Sequence, residues 1–430
     1  MKAVLISGGR VIDPSQNMDM IADVYLAGGI MQAAPSEHQS SDLEIIDARG
    51  LVVCPGFIDL HCHLRQPGYE YKETIASGTQ AAARGGFTTV CCMPNTDPPL
   101  DNTALVAYVN YIASKEGAVR VLPIGTITHG RKGGDLADLA ELADAGIVAF
   151  SDDGNYVASA RVARRAMEYA RQLDVPIIEH CEEPTLADGG QMNEGITATR
   201  LGLQGIPNAA EEIAVSRDLV LAELTGARLH IAHVSTEGTV ELIRQAKRRG
   251  VMITAEVTPH HLTLTEECVK GYNTNSKVNP PLRTPRDIEA LLSGLQDGTI
   301  DAIATDHAPH AENDKLCEFA SAAFGISGLE TALGSLMGLV HAQKISLTKL
   351  IGALTMGPAS VLGKKWRSLG SLAPGSSADV VIIDPNAKWT VDSAAFVSKG
   401  KNTPLNGTAL MGKVKMTIYN GALIYRDGEL

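Results

Sequence analysis

Residues 51–68 read LVVCPGFIDLHCHLRQPG, and the fold turns on this stretch. Its first ten residues are almost wholly apolar, the pattern of a strand buried on both faces. It runs out in His61 and His63. On a strand, residues i and i+2 point to the same face, so both imidazoles converge on one point while Cys62 turns away into packing. An HxH pair alone says little, because a histidine at a strand end is usually just buried and hydrogen-bonded. The test is whether other strands end in the same way.

Seven more apolar strand-like runs follow: FTTVCCM, RVLPIGTI, GIVAFSD, DVPIIEH, RLHIAHV, VMITAEV and DAIATD. Amphipathic stretches such as RVARRAMEYARQ, AEEIAVSRDLVLAELTG and TVELIRQAKRRG lie between them. Strands alternating with helices in this number predict a (β/α)8 TIM barrel. An open doubly wound sheet is disfavoured, since no GxGxxG follows the first strand and no Walker loop occurs. Both chain ends look different. KAVLIS, ADVYLAGG and LEIIDARG at one end, and ADVVIID and KVKMTIYNGALIY at the other, are short strands broken by Gly and Asp. Too few to stand alone, they predict a small β-sandwich-like domain assembled from both termini. The expected division is 1–53 and 366–430 for the composite β domain and 54–365 for the barrel.

Barrel chemistry collects at the C-terminal ends of the strands. Here the first strand ends in His61 and His63, and the second is followed by PNTD with Asn95. The fourth ends in FSDDG with Asp152 and Asp153, the fifth in His180, the sixth in His233, and the eighth in TDHAPH with Asp306, His307 and His310. Imidazole suits zinc, and carboxylates can bridge two cations. Four histidines and two aspartates exceed the needs of one tetrahedral ion. They fit two ions about 3.5–4 Å apart, bridged by a carboxylate and a hydroxide. His129 and His230 read as packing, and one of His260 and His261 is a candidate for the pocket wall. Asp59, two residues before His61, either orients a ligand or holds backbone.

The bulk numbers agree with a metabolic enzyme. With 49 acidic against 37 basic residues the net charge is −12, which argues against a nucleic-acid binder. No apolar run spans a membrane and the N-terminus lacks a signal-peptide pattern, so the expected compartment is the cytoplasm. Seven cysteines at scattered positions, including Cys91-Cys92 in a strand run, form no disulfide framework.

PGFIDLHCHLRQPG resembles the opening signature of the amidohydrolase superfamily. The runs MPNTDPP, FSDDG, EHCE, HVST, TPHHL, VNPPLR, TDHAPH and FGISGLET resemble those of the type I dihydroorotases, in order from about residue 50 to 365. The resemblance implies reversible ring closure of N-carbamoyl-L-aspartate to L-dihydroorotate in de novo pyrimidine synthesis. It implies two Zn2+ per subunit: His61 and His63 on the first, His180 and His233 on the second, and Asp153 bridging with a hydroxide. Asp306 is implied as both ligand and catalytic proton carrier. The implied substrate-binding set is His63, Arg65, Asn95, Asn279, His310, Phe324 and Gly325, with Arg65, Asn95 and His310 at the substrate carboxylate. The partner expected is thus a small-molecule substrate. A homodimer and an association with aspartate transcarbamoylase are further arrangements that the resemblance allows.

Two places depart from the family pattern or need comment. The motif most often reads HLRDPG, and here it is HLRQPG, with Gln66 removing a charge beside Arg65. The loop 307–325 is long for a core connection and reads as a lid. Hydantoinases, dihydropyrimidinases and allantoinases are the nearest alternative. They bridge their metals with a carboxylated lysine after the fourth strand, and GIVAFSDDGNY has none. A silent dihydroorotase-like scaffold for aspartate transcarbamoylase is expected to have lost ligands, whereas this chain keeps all six.

Overall fold

Gly56 splits the opening run into two strands with different partners. The computed structural model describes residues 2–33 and 43–428. Val52–Pro55 pairs parallel with Ala3–Asp13 and antiparallel with Val380–Thr390. Phe57–Cys62 instead pairs parallel with Phe87–Cys92. The sequence shows one apolar run because both halves are fully buried. Glycine marks the junction because a Cβ there would lie 2.2 Å from Thr88 Oγ1.

The terminal strands form one hydrogen-bonded eight-stranded sheet. Its order is Ala422–Arg426, Ala409–Tyr419, Val380–Thr390, Val52–Pro55, Ala3–Asp13, Met18–Ala27, Ile30–Gln32, with Leu43–Asp47 also on Ala3–Asp13. Period-two alternation serves two cores at once. Val53, Val380 and Ile382 join Ile6 and Leu26 in a core belonging to the sheet. Their neighbours Val52, Cys54, Val381 and Ile383 pack into the main core of the molecule. The sheet is therefore buried against the barrel as well as on itself.

The barrel comprises Phe57–Cys62, Phe87–Cys92 and Arg120–Pro123 on one arc, and Ile177–Glu179, Leu229–Ile231, Ile253–Val257 and Ala302–Ile303 on the other. The fourth position is filled by residues 147–151, too short for a ladder. Phe150 bridges Gly125 on one side and Ile177 on the other. The remaining gap closes where His307 bridges Cys62, with His63 N donating to His307 O at 2.9 Å. Ile58, Leu60, Cys91, Leu122, Val148, Ile178, Ala232 and Ala302 form one apolar cluster drawn from around the barrel, which fills its interior. Register slips between Phe57 and Ile58, and again between Asp59 and Cys62, so strict alternation fails across the first strand.

Helix starts follow local chemistry. Thr74 caps the helix Ile75–Arg84 in a capping box with Ser77. Gln66 Oε1 accepts from Ile75 N at 3.0 Å, and its Nε2 donates to Tyr108 Oη at 3.1 Å. Gln66 thus ties the loop bearing Arg65 to the first turn of a helix. Cys62, between the two histidines, is fully buried, with Sγ against Cys91 O at 3.3 Å. All seven cysteines are free.

Candidate metal centre and substrate cavity

The strand ends bring His61, His63, Asp153, His180, His233 and Asp306 together, all buried. Asp153 lies at the middle. Its Oδ1 is 3.3 Å from His61 Nε2 and 3.6 Å from His233 Nε2, and its Oδ2 is 3.7 Å from His63 Nε2. Asp306 Oδ1 sits 3.0 Å from His63 Nε2 and 3.6 Å from His61 Nε2. His180 Nδ1 approaches His233 Nε2 at 2.9 Å. Two overlapping groups, His61–Asp153–His233 and His61–His63–Asp306, are close enough for each to hold a metal ion. His61 Nε2 and Asp153 Oδ1 are buried without a hydrogen-bond partner. Orphaned atoms of this kind fit a donor set built for a cation. Arg65, His233 and Asp306 carry positive φ angles of 63°, 32° and 46°. Non-glycine residues adopt this conformation at a cost, which the surrounding packing offsets.

The two aspartates of FSDDG separate cleanly. Asp152 accepts from Ile127 N at 2.9 Å, Thr128 N at 3.1 Å and the Thr128 hydroxyl, and so serves the backbone. Asp153 alone faces the cluster. Asp59 also serves backbone: it accepts from Thr305 N at 2.8 Å and Thr305 Oγ1 at 2.6 Å, tying the eighth strand to the first.

The group that orients His61 is Glu256, which sequence reasoning missed. Its Oε1 lies 2.9 Å from His61 Nδ1 and its Oε2 3.1 Å from His230 Nε2. His230 Nδ1 in turn meets Thr254 Oγ1 at 2.8 Å. His230, read from sequence as packing, is therefore the far end of a buried chain Thr254–His230–Glu256–His61. The signal was a lone acid in the apolar run VMITAEV, for a buried carboxylate needs partners. Burial opposes charge on Glu256, but hydrogen bonds from His230 and His61 outweigh it and hold the carboxyl down at about 2. Burial likewise opposes charge on Asp153 and Asp306. The histidines around them outweigh it and hold both below the usual carboxylate range.

Beside the cluster is a cavity of about 210 Å3 whose walls include Arg65, Asn95, Asn279, His310, Phe324 and Gly325. Asn95 Oδ1 faces His63 Nδ1 at 2.9 Å, so this residue also sets the orientation of that imidazole. Asn279 Nδ2 donates to Glu182 Oε2 at 2.8 Å, leaving its Oδ1 buried and unpartnered. Arg65 is half-buried; its Nε donates to Pro309 O at 3.3 Å, and among the described residues no carboxylate forms an ion pair with it. His310 Nε2 meets Phe324 O at 2.8 Å across the loop 307–325. Lys277 Nζ donates to Phe319 O and Ala320 O at 2.8 Å, and Lys315 Nζ to Ala323 O at 2.6 Å, pinning that loop. His260 and His261 do not reach the cavity. His261 is spent on Thr258 Oγ1 at 2.8 Å and Pro280 O at 3.0 Å. Burial pushes His260 down to about 4. His129 is exposed.

An eight-stranded barrel with buried His–Asp groups able to bind a metal at its strand ends is a hydrolase of the amidohydrolase class. The solved structures bear this out. An L-hydantoinase (dihydropyrimidinase) from Arthrobacter aurescens matches with a TM-score of 0.89 and 26% identity, over 100% of this chain and 97% of the other. A dihydropyrimidinase from Brevibacillus agri shares the fold with a TM-score of 0.86 at 24% identity, over 100% and 96% of the two chains. The dihydro-orotase-like family profile matches residues 50–239. A dihydroorotase from Thermoanaerobacter sp. is 52% identical over 98% of this chain and 97% of its own length. Another, from Caldanaerobacter subterraneus, is 51% identical over 99% and 98%. The chain belongs to the dihydroorotase family.

Proposed function

We propose that this enzyme interconverts N-carbamoyl-L-aspartate and L-dihydroorotate, with loss or gain of water, in de novo pyrimidine biosynthesis. The observation that carries the reading is Arg65. A half-buried guanidinium, with no carboxylate in ion-pair contact among the described residues, shares a cavity with the His–Asp cluster. In a protein of net charge −12 this is a strong local positive site, shaped as a fork for a carboxylate. Both substrates carry the carboxylate that ring closure leaves untouched. The absence of lysine in residues 146–156 supports a dihydroorotase over a hydantoinase, although the solved neighbours are hydantoinases.

The residues take these roles. His61 and His63 would hold one zinc, His180 and His233 a second, with Asp153 shared between them and Asp306 a further ligand. Bound zinc supplies a hydroxide near neutral pH and polarises the amide carbonyl. Asp306 takes the proton of the attacking water and delivers it to the departing ring nitrogen. In ring closure it carries the proton the other way. Arg65, Asn95 and His310 hold the substrate carboxylate, while Asn279 and the Phe324–Gly325 backbone hold the ring. The barrel carries all of these residues; the boundary expected between 53 and 54 falls inside the sheet strand Val52–Pro55, so we place the start of the barrel at Gly56, with the segments before it and from 366 on forming the composite β domain. Among the described residues no helix is long and apolar enough to cross a membrane, and the cytoplasm is the setting we assign. Self-association and docking to aspartate transcarbamoylase rest on the resemblance alone, and light scattering with and without that enzyme reads both.

The test pairs metal analysis with dihydroorotate hydrolysis, before and after chelation. Two zincs per chain and chelator-sensitive turnover are expected. Turnover of hydantoin without action on dihydroorotate would overturn the assignment.

A further inference from the structure

The loop 307–325 brings His310 and Gly325 to the cavity, and one side chain from the far end of the chain holds both of its feet. Asn402 is buried. Its Oδ1 accepts from His310 N and from Ser327 Oγ, each at 2.9 Å. Its Nδ2 donates to Ala308 O and Gly325 O, each at 3.0 Å. Its backbone carbonyl accepts from Ser327 N at 2.8 Å. Two donated and two accepted bonds use the whole capacity of a carboxamide. A carboxylate would set an oxygen against two carbonyls, and an apolar side chain would leave four polar groups unpaired.

The segment around Asn402 is itself firmly held. Val397 N and Ser398 N donate to Glu330 Oε1 at 2.9 and 3.1 Å. Ser398 Oγ donates to Glu73 Oε2 at 2.5 Å. Lys401 Nζ caps Phe396 O and Ser398 O at 2.5 and 2.8 Å. At Gly400 a Cβ would lie 2.4 Å from Pro309 Cβ and 2.7 Å from Ser327 Oγ, so the segment presses directly on the loop.

We propose that Asn402 is a positioning residue for substrate. It fixes the separation between His310 and the Phe324–Gly325 backbone, and with it the grip of the cavity on the substrate. This rests on the reading of the cavity as the substrate site. Asn402 makes no hydrogen bond to the His–Asp cluster, so its removal acts on binding and leaves the cluster intact.

The experiment measures steady-state kinetics of Asn402→Asp and Asn402→Ala with dihydroorotate and with N-carbamoyl-L-aspartate. Metal content and circular dichroism are measured on the same samples. The expected result is a KM raised roughly tenfold to a hundredfold with kcat within about threefold, at unchanged metal content. Folded, metal-replete variants with an unchanged KM, or a loss confined to kcat, would overturn the proposal. Amide hydrogen exchange of the wild type gives a second reading that needs no variant to fold. The His310 and Ser327 amides should exchange as slowly as the barrel strands, and exchange at the rate of exposed loop amides overturns the clamp. If the wild type leaves dihydroorotate untouched, the functional reading fails while the exchange data still judge Asn402.

Discussion

Replacing Glu256 with Gln and with Leu separates the two things this residue does for His61. Gln keeps the volume and reach and removes the charge. Its oxygen can face His61 Nδ1, preserving the tautomer that leaves Nε2 free toward Asp153. Its NH2 then faces His230 Nε2, and His230 can donate through Nδ1 to Thr254 Oγ1, 2.8 Å away. No group is left unpaired. The loss reduces to the difference between a charge-assisted and a neutral hydrogen bond, about 1–1.5 kcal/mol, or roughly tenfold in metal affinity. Leu removes the acceptor altogether. The buried Nδ1–H of His61 then lacks a partner, which costs about 1–3 kcal/mol. Metal affinity should fall roughly a further tenfold or more, the scale seen for residues that orient ligand imidazoles. The assay is a titration of the zinc-loaded protein with chelators of graded affinity, counting the zinc retained. Wild type should hold best, Gln next and Leu worst. Superimposable curves would refute the claim that Glu256 holds His61 for a metal. A Gln variant weaker than Leu would refute the tautomer argument.

Asp306→Ala should abolish turnover while most zinc stays bound, because five other donors remain; near-normal turnover in a steady-state assay would remove Asp306 as proton carrier. Arg65→Ala should raise KM for the carboxylate-bearing substrates, by about 1.5–3 kcal/mol in binding; unchanged KM and kcat would mean that Arg65 does not meet substrate. Glu256 is held at about 2 in the fold, below its ordinary value of 4.5. Its contribution to stability is therefore fully present above about pH 4.5 and is lost as pH falls toward 2, amounting to about 3 kcal/mol at most. Urea midpoints of the metal-free protein from pH 6 to pH 3 should fall less steeply for Glu256→Gln than for wild type, and parallel profiles would count against the buried pair. Gln66→Ala removes the acceptor for Ile75 N and should cost about 0.5–1 kcal/mol of stability by urea unfolding, with activity within about twofold.

The barrel and its donor set were legible because each relied on a local pattern. Apolar runs marked the strands, and the residues at their ends are the side chains that the fold gathers into one cluster. What was not legible depends on contacts between distant parts of the chain. Glu256 sits mid-strand, and only the closed barrel turns it toward His61. His230 looked like filler because its meaning depends on Glu256. Gly56 was hidden because the strands on either side are equally buried, so nothing in hydropathy marks the change of partner. The fourth strand was visible as a run but not as a short one, since its pairing is limited by where Gly125 and Ile177 lie. Asn402 lies 92 residues from His310 in sequence, in a segment whose composition announces only a loop.

The order of the terminal sheet bears on how the gene tolerates damage. Val380–Thr390 is a late stretch of chain but an interior strand, lying between Val52–Pro55 and Ala409–Tyr419. A stop codon shortly before it would not trim the protein at its rim. It would bare the edge of Val52–Pro55, one glycine upstream of the strand that carries His61, and would delete Asn402 as well. A fusion placed after residue 428 is a different matter, because Ala422–Arg426 is already the outermost strand. The same end of the chain is thus unforgiving of truncation and accommodating of extension.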